Sequence, residues 1–180
     1  APRRGTVVLP QYRWNVLDDE VLDWSGVGLA GDGALVEELM ETRAAIEPAA
    51  AEAAARHAKP DQRAAVQAAW AAMAALKNSD DIEAKVETDL AWHVAVAAAS
   101  ENRFLASIMN SIAYALGQHL LMLNDVTGNY EGNLINHQRV TDAIIAGDVE
   151  EARDAMTALV SQARDDTRRM RPGSTRGAAS

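Results

Sequence analysis

Asp89 and His93 are four residues apart in a segment with strong helical preference. This spacing places a carboxylate and an imidazole on the same face of a helix. Val86, Leu90 and Val94 share much of that face, so we expect the pair to point inward. A carboxylate buried beside a histidine must be ion-paired, hydrogen-bonded or metal-bound, because burial of a lone charge is costly. The segment therefore predicts a polar site within an apolar core.

His137 is a further inward-facing candidate. Apolar residues follow it at helical spacing, at Val140, Ala143 and Ile144. Asp89, His93 and His137 together offer the nitrogen and oxygen ligands that suit Zn, Ni, Mn or Fe. The alternative is a hydrogen-bonded Asp–His pair with an unrelated third histidine. The spacing leaves both readings open, because no compact motif such as H-E-x-x-H is present.

The other two histidines have different surroundings. His57 lies beside basic residues where a predicted helix ends, so we expect it to be solvated. His119 lies in a strongly apolar segment, where it either lines a pocket or is a hydrogen-bonded core residue.

Length and composition indicate one helical domain. The 180 residues are 48% hydrophobic and 24% charged, whereas aromatic residues make up 4%. Alanine supplies much of the apolar share, which favours closely packed helices over a β-sandwich. The formal net charge of -9 argues against a nucleic-acid-binding surface on this chain.

The chain has no cysteine, which excludes disulfides and thiolate metal sites and fits a reducing cytoplasm. Apolar runs such as residues 91–99 are too short to cross a bilayer as helices, so we expect no contact with a membrane.

The apolar spacing predicts an all-α fold, an antiparallel bundle of six or seven helices. A short helix is predicted over residues 13–24. Long helices are predicted over residues 34–57, 102–123, 134–146 and 148–170. Two more are predicted between the first two of these: one starts at residue 60, and the other carries Asp89 and His93 and ends near residue 99. Pro48 should kink or divide the first of these, and residues 124–132 should form a break between two others.

Five segments in order, ETRAAIEPAA (41–50), DLAWH (89–93), ASEN (99–102), HQRVTDAIIAGD (137–148) and ARDAM (152–156), resemble the FCD domain. This is the C-terminal effector-binding domain of FadR-type GntR transcription regulators. The resemblance runs from about residue 33 to residue 170. It implies an effector-binding domain over residues 34–170 and a flexible tail over 171–180.

The first 33 residues resemble the end of the family's DNA-binding domain and its linker. RGTVVLP (4–10) is similar to the last part of the wing of a winged helix-turn-helix domain. RWNVLDDEVLDW (13–24) is similar to the linker of members that control sugar-acid operons, D-galactonate operons among them. By this resemblance the DNA-reading domain itself is missing from the chain.

The family's metal-binding members use the Asp and His of a D-x-x-x-H motif and two later histidines. Asp89, His93 and His137 match the first three of these ligands. The fourth aligns with Leu159, which cannot bind a metal. The resemblance therefore implies either a Zn, Ni or Mn site with three protein ligands and an open position, or loss of the metal.

The resemblance also implies residues that bind the effector. Arg43 is a candidate clamp for a carboxylate, or else an ion-pair partner of Glu47 or Glu41 on its own helix. Asn102 either contacts the ligand or caps a helix. Gln118 and His119 are further polar candidates for the pocket. Without a metal, His93 and His137 would hydrogen-bond the ligand directly.

Three functions remain in contention from the sequence. The first is a non-enzymatic sensor of a sugar acid or related small carboxylate, homodimeric, which controls operator DNA through the missing domain. The second is a metal-dependent helical enzyme that uses Asp89, His93 and His137 as a 2-His-1-carboxylate set. The third is a structural bundle in which these side chains form only a core network.

Overall fold

The computed structural model describes residues 10, 13, 15, 33–127 and 130–170. Within these residues the chain forms six helices and no strand, which confirms the predicted all-α class. They are α1 (Gly33–His57), α2 (Pro60–Ala75), α3 (Ile82–Ala99), α4 (Arg103–Thr127), α5 (Tyr130–Ala146) and α6 (Val149–Met170). The predicted wing end, most of the linker with its short helix, and the tail lie outside the described residues.

Side-chain caps mark the starts of α3 and α6, and a glycine marks the end of α5. Asp81 caps α3, because its Oδ1 accepts a hydrogen bond from the Ala84 N–H at 2.9 Å. Asp148 caps α6 by accepting from the Glu151 N–H at 3.1 Å. The Glu151 carboxylate pairs with Arg139 at 2.7 Å, and the Asp148 N–H donates to the Ala143 carbonyl at 2.9 Å rather than to Glu151. Gly147 ends α5 with a φ of 73°, a conformation that glycine adopts without strain.

Pro48 does not divide α1, which is one continuous helix of 25 residues with Pro48 in its interior. Proline removes the hydrogen bond to the carbonyl of the residue four positions earlier. Here that residue is Ala44, which is exposed, so water can take the place of the missing N–H donor.

The break predicted over residues 124–132 is wrong in extent. Helix α4 continues to Thr127, and α5 begins at Tyr130. Tyr130 is buried, and its hydroxyl donates to the Met73 carbonyl of α2 at 3.0 Å. This long-range anchor holds the start of α5 at Tyr130, four residues before the predicted start at residue 134.

The buried apolar side chains form two clusters. One joins the C-terminal half of α1 to α2, α3, α5 and α6. The other joins the N-terminal end of α1 to α3 and α4. Buried Arg43 and Glu47 lie on α1 between the parts of the helix that enter the two clusters.

Arg63 of α2 joins the ends of α1 and α5. Its guanidinium donates to the carbonyls of Ala55 and Ala58, each at 3.0 Å, and to those of Ile144 and Ile145, each at 2.6 Å. Carbonyls at helix C-termini lack partners within their own helix and carry partial negative charge. One cation therefore satisfies both ends and holds the two helices together.

No helix in the described part of the chain combines the length and apolar character needed to cross a membrane.

Candidate functional site

Five ionisable side chains are buried together between the two apolar clusters. Each is at most 3% exposed: Arg43 and Glu47 of α1, Asp89 and His93 of α3, and His137 of α5. Arg43 and Glu47 are four residues apart on α1, and Asp89 and His93 are four residues apart on α3. The two members of each pair therefore project from one face of their helix. The structure thus brings together four residues of the predicted site and adds Glu47.

Glu47 lies between Arg43 and His93. Its Oε1 accepts a hydrogen bond from Arg43 Nε at 2.5 Å, and its Oε2 lies 2.7 Å from His93 Nδ1. The second contact has the distance of an ion pair but not the direction of a hydrogen bond. Glu47 therefore holds both a guanidinium and an imidazole. The ion pair that the sequence offered as an alternative role for Arg43 is present.

His137 has one nitrogen bound to backbone and the other directed at Asp89. Its Nδ1 lies 2.7 Å from the carbonyl oxygen of Asn133, which can only accept, so Nδ1 carries the proton. Its Nε2 then faces Asp89 Oδ1 at 3.3 Å. Asn133 also donates from Nδ2 to this carboxylate oxygen at 3.2 Å.

The approach of His137 Nε2 to Asp89 Oδ1 requires a cation. A neutral Nε2 and a carboxylate oxygen both present lone pairs, so a proton or a metal ion must lie between them. Among the described residues, His137 Nε2 and Asp89 Oδ2 are buried without a hydrogen-bond partner.

His93 completes a set of possible metal ligands. Its Nε2 lies 3.4 Å from Asp89 Oδ2, and one donor atom each from Asp89, His93 and His137 lies within 4.8 Å of the other two. The outer nitrogens of both imidazoles face oxygen atoms, an arrangement that orients histidine ligands in metal sites. This donor set fits a divalent metal.

Trp92 packs against both imidazoles. Its ring meets those of His93 and His137 edge to face, with centroids 4.9 and 4.3 Å apart. Its Nε1 donates to Thr141 Oγ1 at 2.9 Å, which satisfies the buried indole and fixes its orientation. Trp92 thereby restricts the rotation of the two histidines.

Burial and charge act in opposite directions on the pKa values of the cluster. Burial raises the pKa of Glu47, but Arg43 and His93 outweigh it and hold the pKa at about 2. Burial likewise raises the pKa of Asp89, but His137 and His93 bring it below its usual value. Burial lowers the pKa of His93, whereas Glu47 and Asp89 raise it to about 9. Without a metal, His93 is thus an imidazolium between two carboxylates.

His119 is buried but contacts α6 rather than Asp89. Its Nε2 lies 2.9 Å from Thr167 Oγ1, and that hydroxyl donates to the Ala163 carbonyl. Nε2 therefore carries the proton, and Nδ1 is a buried acceptor without a partner in the described residues. Burial, with a contribution from Arg43, lowers the pKa of His119 to about 4.

The remaining predicted residues lie apart from the cluster. Asn102 is exposed, and its Oδ1 accepts from the N–H groups of Phe104 and Leu105, so it caps α4. Gln118 is exposed on α4, and His57 is exposed at the end of α1 as expected. Contact between the effector and Asn102 or Gln118 stays a prediction.

Leu159, where the family resemblance predicts that a fourth metal ligand would fall, is buried in the larger apolar cluster. It supplies no donor atom. A cavity of about 10 Å³ lies beside the polar cluster, between α1, α3, α4 and α6. Glu47 and His93 line it, and its other walls are apolar, including Leu105, Met109 and Met156. It has room for about one water molecule.

Asn133 and Trp92 are site residues that the sequence analysis missed, and Glu47 was predicted only as an ion-pair partner of Arg43. Glu47 follows Arg43 by four residues and Asn133 precedes His137 by four, so helical spacing was an available signal for both. Trp92 lies next to His93 in the sequence, and its contact with His137 depends on the packing of α3 against α5.

Two curated relatives are similar to this chain over most of its length. An uncharacterised HTH-type transcriptional regulator of Escherichia coli K12, YieP, is 33% identical over 162 residues, covering 88% of this chain and 67% of the relative. The galactonate operon transcriptional repressor of the same organism is 30% identical over 171 residues, covering 93% and 71%. Both are transcription regulators, so these relatives give no support to the enzymatic alternative.

The fold also matches a solved structure. E. coli McbR/YncC superposes with a TM-score of 0.66 and 17% identity, over 74% of this chain and 64% of that one. The FCD domain family matches residues 38–162, which include the entire polar cluster. The chain therefore belongs to the FCD domain family, as the effector-binding domain of a GntR-type transcription regulator.

Proposed function

We propose that this domain senses a small carboxylate, with sugar acids as the first candidates, in the core beside a divalent cation. The observation that carries the proposal is that donor atoms of Asp89, His93 and His137 lie close together in the core, and that Asp89 Oδ2 and His137 Nε2 are buried without a partner in the described residues. Buried polar atoms without partners in a native core call for a ligand, an ion or ordered water.

Asp89 Oδ2, His93 Nε2 and His137 Nε2 would hold the metal, with Zn, Ni or Mn as candidates. When bound, the cation would attract the carboxylate and α-hydroxyl of a hydroxy acid. Because Leu159 contributes no ligand, three protein donors leave positions for ligand oxygens or water.

Arg43 supports the choice of an anionic ligand. Its Nη1 is buried without a partner in the described residues, and its Nη2 lies 3.4 Å from His93 Nε2. A guanidinium this close to the metal ligands can donate to a carboxylate that is bound there. Support for sugar acids comes from the similarity to the galactonate operon repressor.

Ligand entry requires side-chain movement. The cavity of about 10 Å³ is smaller than any sugar acid. Met109 and Met156 line it, and methionine adapts its shape readily. Binding would therefore move these side chains and change how α4 and α6 pack on α1.

The regulator would act as a homodimer in the cytoplasm, with operator DNA bound by a winged helix-turn-helix domain outside this chain. We assign residues 1–33 to the wing end and linker and residues 34–170 to the sensor domain. A ligand changes DNA binding only if it has different affinities for two conformations. The change in helix packing on entry would provide that difference.

The test is a panel of ligands on protein freed of metal with EDTA and then reloaded with Zn²⁺, Ni²⁺ or Mn²⁺. D-Galactonate, D-gluconate and L-lactate are compared with galactitol, an uncharged match for galactonate. We expect one acid to raise the free energy of unfolding by about 2.7 kcal/mol at a hundredfold excess over its Kd. The effect should be lost in His137→Ala and kept in His57→Ala, in which the exposed histidine is removed.

Metal binding is measured separately by isothermal titration calorimetry. Metal binding without stabilisation by any acid would refute the carboxylate assignment. An equal response to galactonate and galactitol would show that the ligand charge is not recognised.

A further inference from the structure

The last ten residues of α6, residues 161–170, are attached differently from the rest of that helix. In the described part of the chain, Val160 is the last residue of α6 that belongs to either apolar cluster. Beyond it, hydrogen bonds and ion pairs attach the helix to α1, α4 and α5. We propose that residues 161–170, the strap, open while the rest of the domain stays folded, and that this opening is the route by which a ligand reaches the polar cluster. The second part rests on the proposed function.

Ion pairs tie the outer side of the strap to the first turns of α1. Arg164 donates from Nε to Glu37 Oε1 at 2.8 Å and from Nη2 to Glu41 Oε1 at 3.1 Å. Arg168 Nη2 donates to the same oxygen of Glu37 at 2.7 Å. These four side chains are between 24% and 62% exposed, so water and salt compete for them. Ion pairs of this kind contribute little to stability.

The inner side of the strap covers His119 of α4. Thr167 lies three residues after Arg164, so their side chains share one side of the helix. Thr167 Oγ1 lies 2.9 Å from His119 Nε2, and the two residues are 5% and 1% exposed. The other ring nitrogen of His119, Nδ1, is buried without a partner in the described residues. Opening of the strap would remove the partner of Nε2 and let water reach the imidazole.

The domain opens more easily at the strap than at the wall of the cavity. Burial of apolar surface supplies most of the stability of a fold, and the strap holds no residue of either apolar cluster in the described part of the chain. Displacement of Met109 or Met156 would instead expose side chains of residues that are 2% and 1% exposed. A segment with few buried apolar contacts opens at a lower free energy than the whole domain. The methionines therefore make room for a ligand that the strap has admitted.

A line of polar side chains leads from the strap to the polar cluster. The charge of Arg43 contributes to the lowered pKa of His119, so the two side chains lie near one another. Arg43 Nη1 is buried without a partner in the described residues, and Nη2 lies 3.4 Å from His93 Nε2. Each of these groups can hydrogen-bond to water or to a polar ligand. An entering ligand would thus exchange its hydration for polar contacts rather than cross an apolar wall.

Chemical modification of histidine measures the opening. Diethyl pyrocarbonate acylates a neutral imidazole that solvent reaches, and peptide mass spectrometry gives the rate at each histidine. His57 is exposed and serves as the internal reference. In metal-free protein, we expect His119 to react at a rate that low urea concentrations barely change, because local opening exposes little surface. A rate that rises with urea as global unfolding does would overturn the strap.

Glu37→Gln tests what holds the strap closed. The variant removes the carboxylate that both arginines share, so His119 should react about threefold faster, the change that loss of a partly exposed ion pair gives. Glu52→Gln is the matched control on α1, since Glu52 pairs only with Arg56 of the same helix in the printed contacts of α1 and should leave the rate unchanged. Equal rates at His119 in Glu37→Gln and in the unmodified protein would contradict the proposal.

A covalent tie tests the route. The chain has no cysteine, so Glu37→Cys and Arg168→Cys can be joined by a short bismaleimide and compared with the same double variant left unjoined. The tie should slow the reaction of His119 at least about tenfold, because only global unfolding then exposes it. Uptake of Zn²⁺ by the EDTA-treated protein, followed with a chelating dye, should slow by a similar factor.

The outcomes separate the strap from the proposed function. Slower reaction of His119 with unchanged uptake of Zn²⁺ would overturn the route. Absence of Zn²⁺ binding in every variant would refute the metal of the proposed function, and the rates at His119 would still decide whether the strap opens. If the double cysteine variant does not fold, the urea dependence and Glu37→Gln decide.

Discussion

Arg43 Nε and Glu47 Oε1 lie 2.5 Å apart, within a helix face that is closed to solvent. An ion pair of this kind contributes little net stability, because desolvation of both charges offsets their attraction. A gain in net stability therefore does not explain its presence between two apolar clusters.

Removal of one partner should be much more harmful than removal of both. We expect Arg43→Met to lower the free energy of unfolding by about 3–5 kcal/mol, because Glu47 is left buried without its guanidinium partner and keeps only His93. The double variant Arg43→Met, Glu47→Leu should recover most of that loss. Urea denaturation of EDTA-treated protein measures both. A double variant as unstable as the single one would show that the pair itself stabilises the fold.

Loss of a metal ligand should abolish metal stabilisation. Zn²⁺ at a hundredfold excess over its Kd should raise the stability of the unmodified protein by about 2.7 kcal/mol. Asp89→Asn should remove this gain, since the neutral amide is a weaker ligand. His57→Asn should keep it, because His57 is exposed at the end of α1. The melting temperature with and without EDTA reports the result.

The metal-free protein should lose stability as the pH rises. The pKa of His93 in the folded protein is raised to about 9, above its usual value, so its contribution is complete below about pH 6.5 and disappears towards pH 9. The loss should be about 3 kcal/mol, since one pKa unit corresponds to about 1.4 kcal/mol. Unfolding at pH 6 and pH 9 measures it. His93→Gln should show a much smaller difference.

His119 should act in the opposite direction. Its pKa is lowered to about 4, so below pH 6.5 the unfolded chain takes up a proton that the folded chain does not. Stability should fall by up to about 3 kcal/mol between pH 6.5 and pH 4. His119→Gln can still donate to Thr167 and does not titrate, so its pH dependence should be weaker. Denaturation of both proteins across this range makes the comparison.

Arg63 should stabilise the fold more than any exposed arginine. Arg63→Met removes hydrogen bonds to four carbonyls at the ends of α1 and α5, at an expected cost of about 3 kcal/mol. Arg56→Met is the control, because Arg56 makes one exposed ion pair with Glu52, typically worth less than about 1 kcal/mol. Similar losses in the two variants would contradict the role of Arg63.

The sequence predicted features that depend on neighbours along the chain. The starts of α3 and α6 follow from Asp81 and Asp148, whose side chains bond to N–H groups three residues on. The inward direction of Asp89 and His93 follows from their spacing in α3. His137 was placed inward by the same reasoning, and it is buried.

Features that depend on distant contacts were wrong or missed. The break predicted over residues 124–132 was too long, because the hydrogen bond that fixes the start of α5 joins Tyr130 to Met73, 57 positions earlier in the sequence. Glu47 was predicted only as an ion-pair partner of Arg43, because its contact with His93 spans the space between two helices. Its spacing from Arg43 predicts an ion pair and says nothing of a third partner.

The attachment of α1 through Arg63 has a mechanical consequence. At 1.5 Å per residue, Ala55 lies about 18 Å along the axis from Arg43 and about 33 Å from Gly33. A rigid rod that pivots at its clamped end moves nearly twice as far at Gly33 as at Arg43. A rotation of α1 about Ala55 would therefore displace Gly33, the residue that follows residues 1–32, more than it displaces the polar cluster.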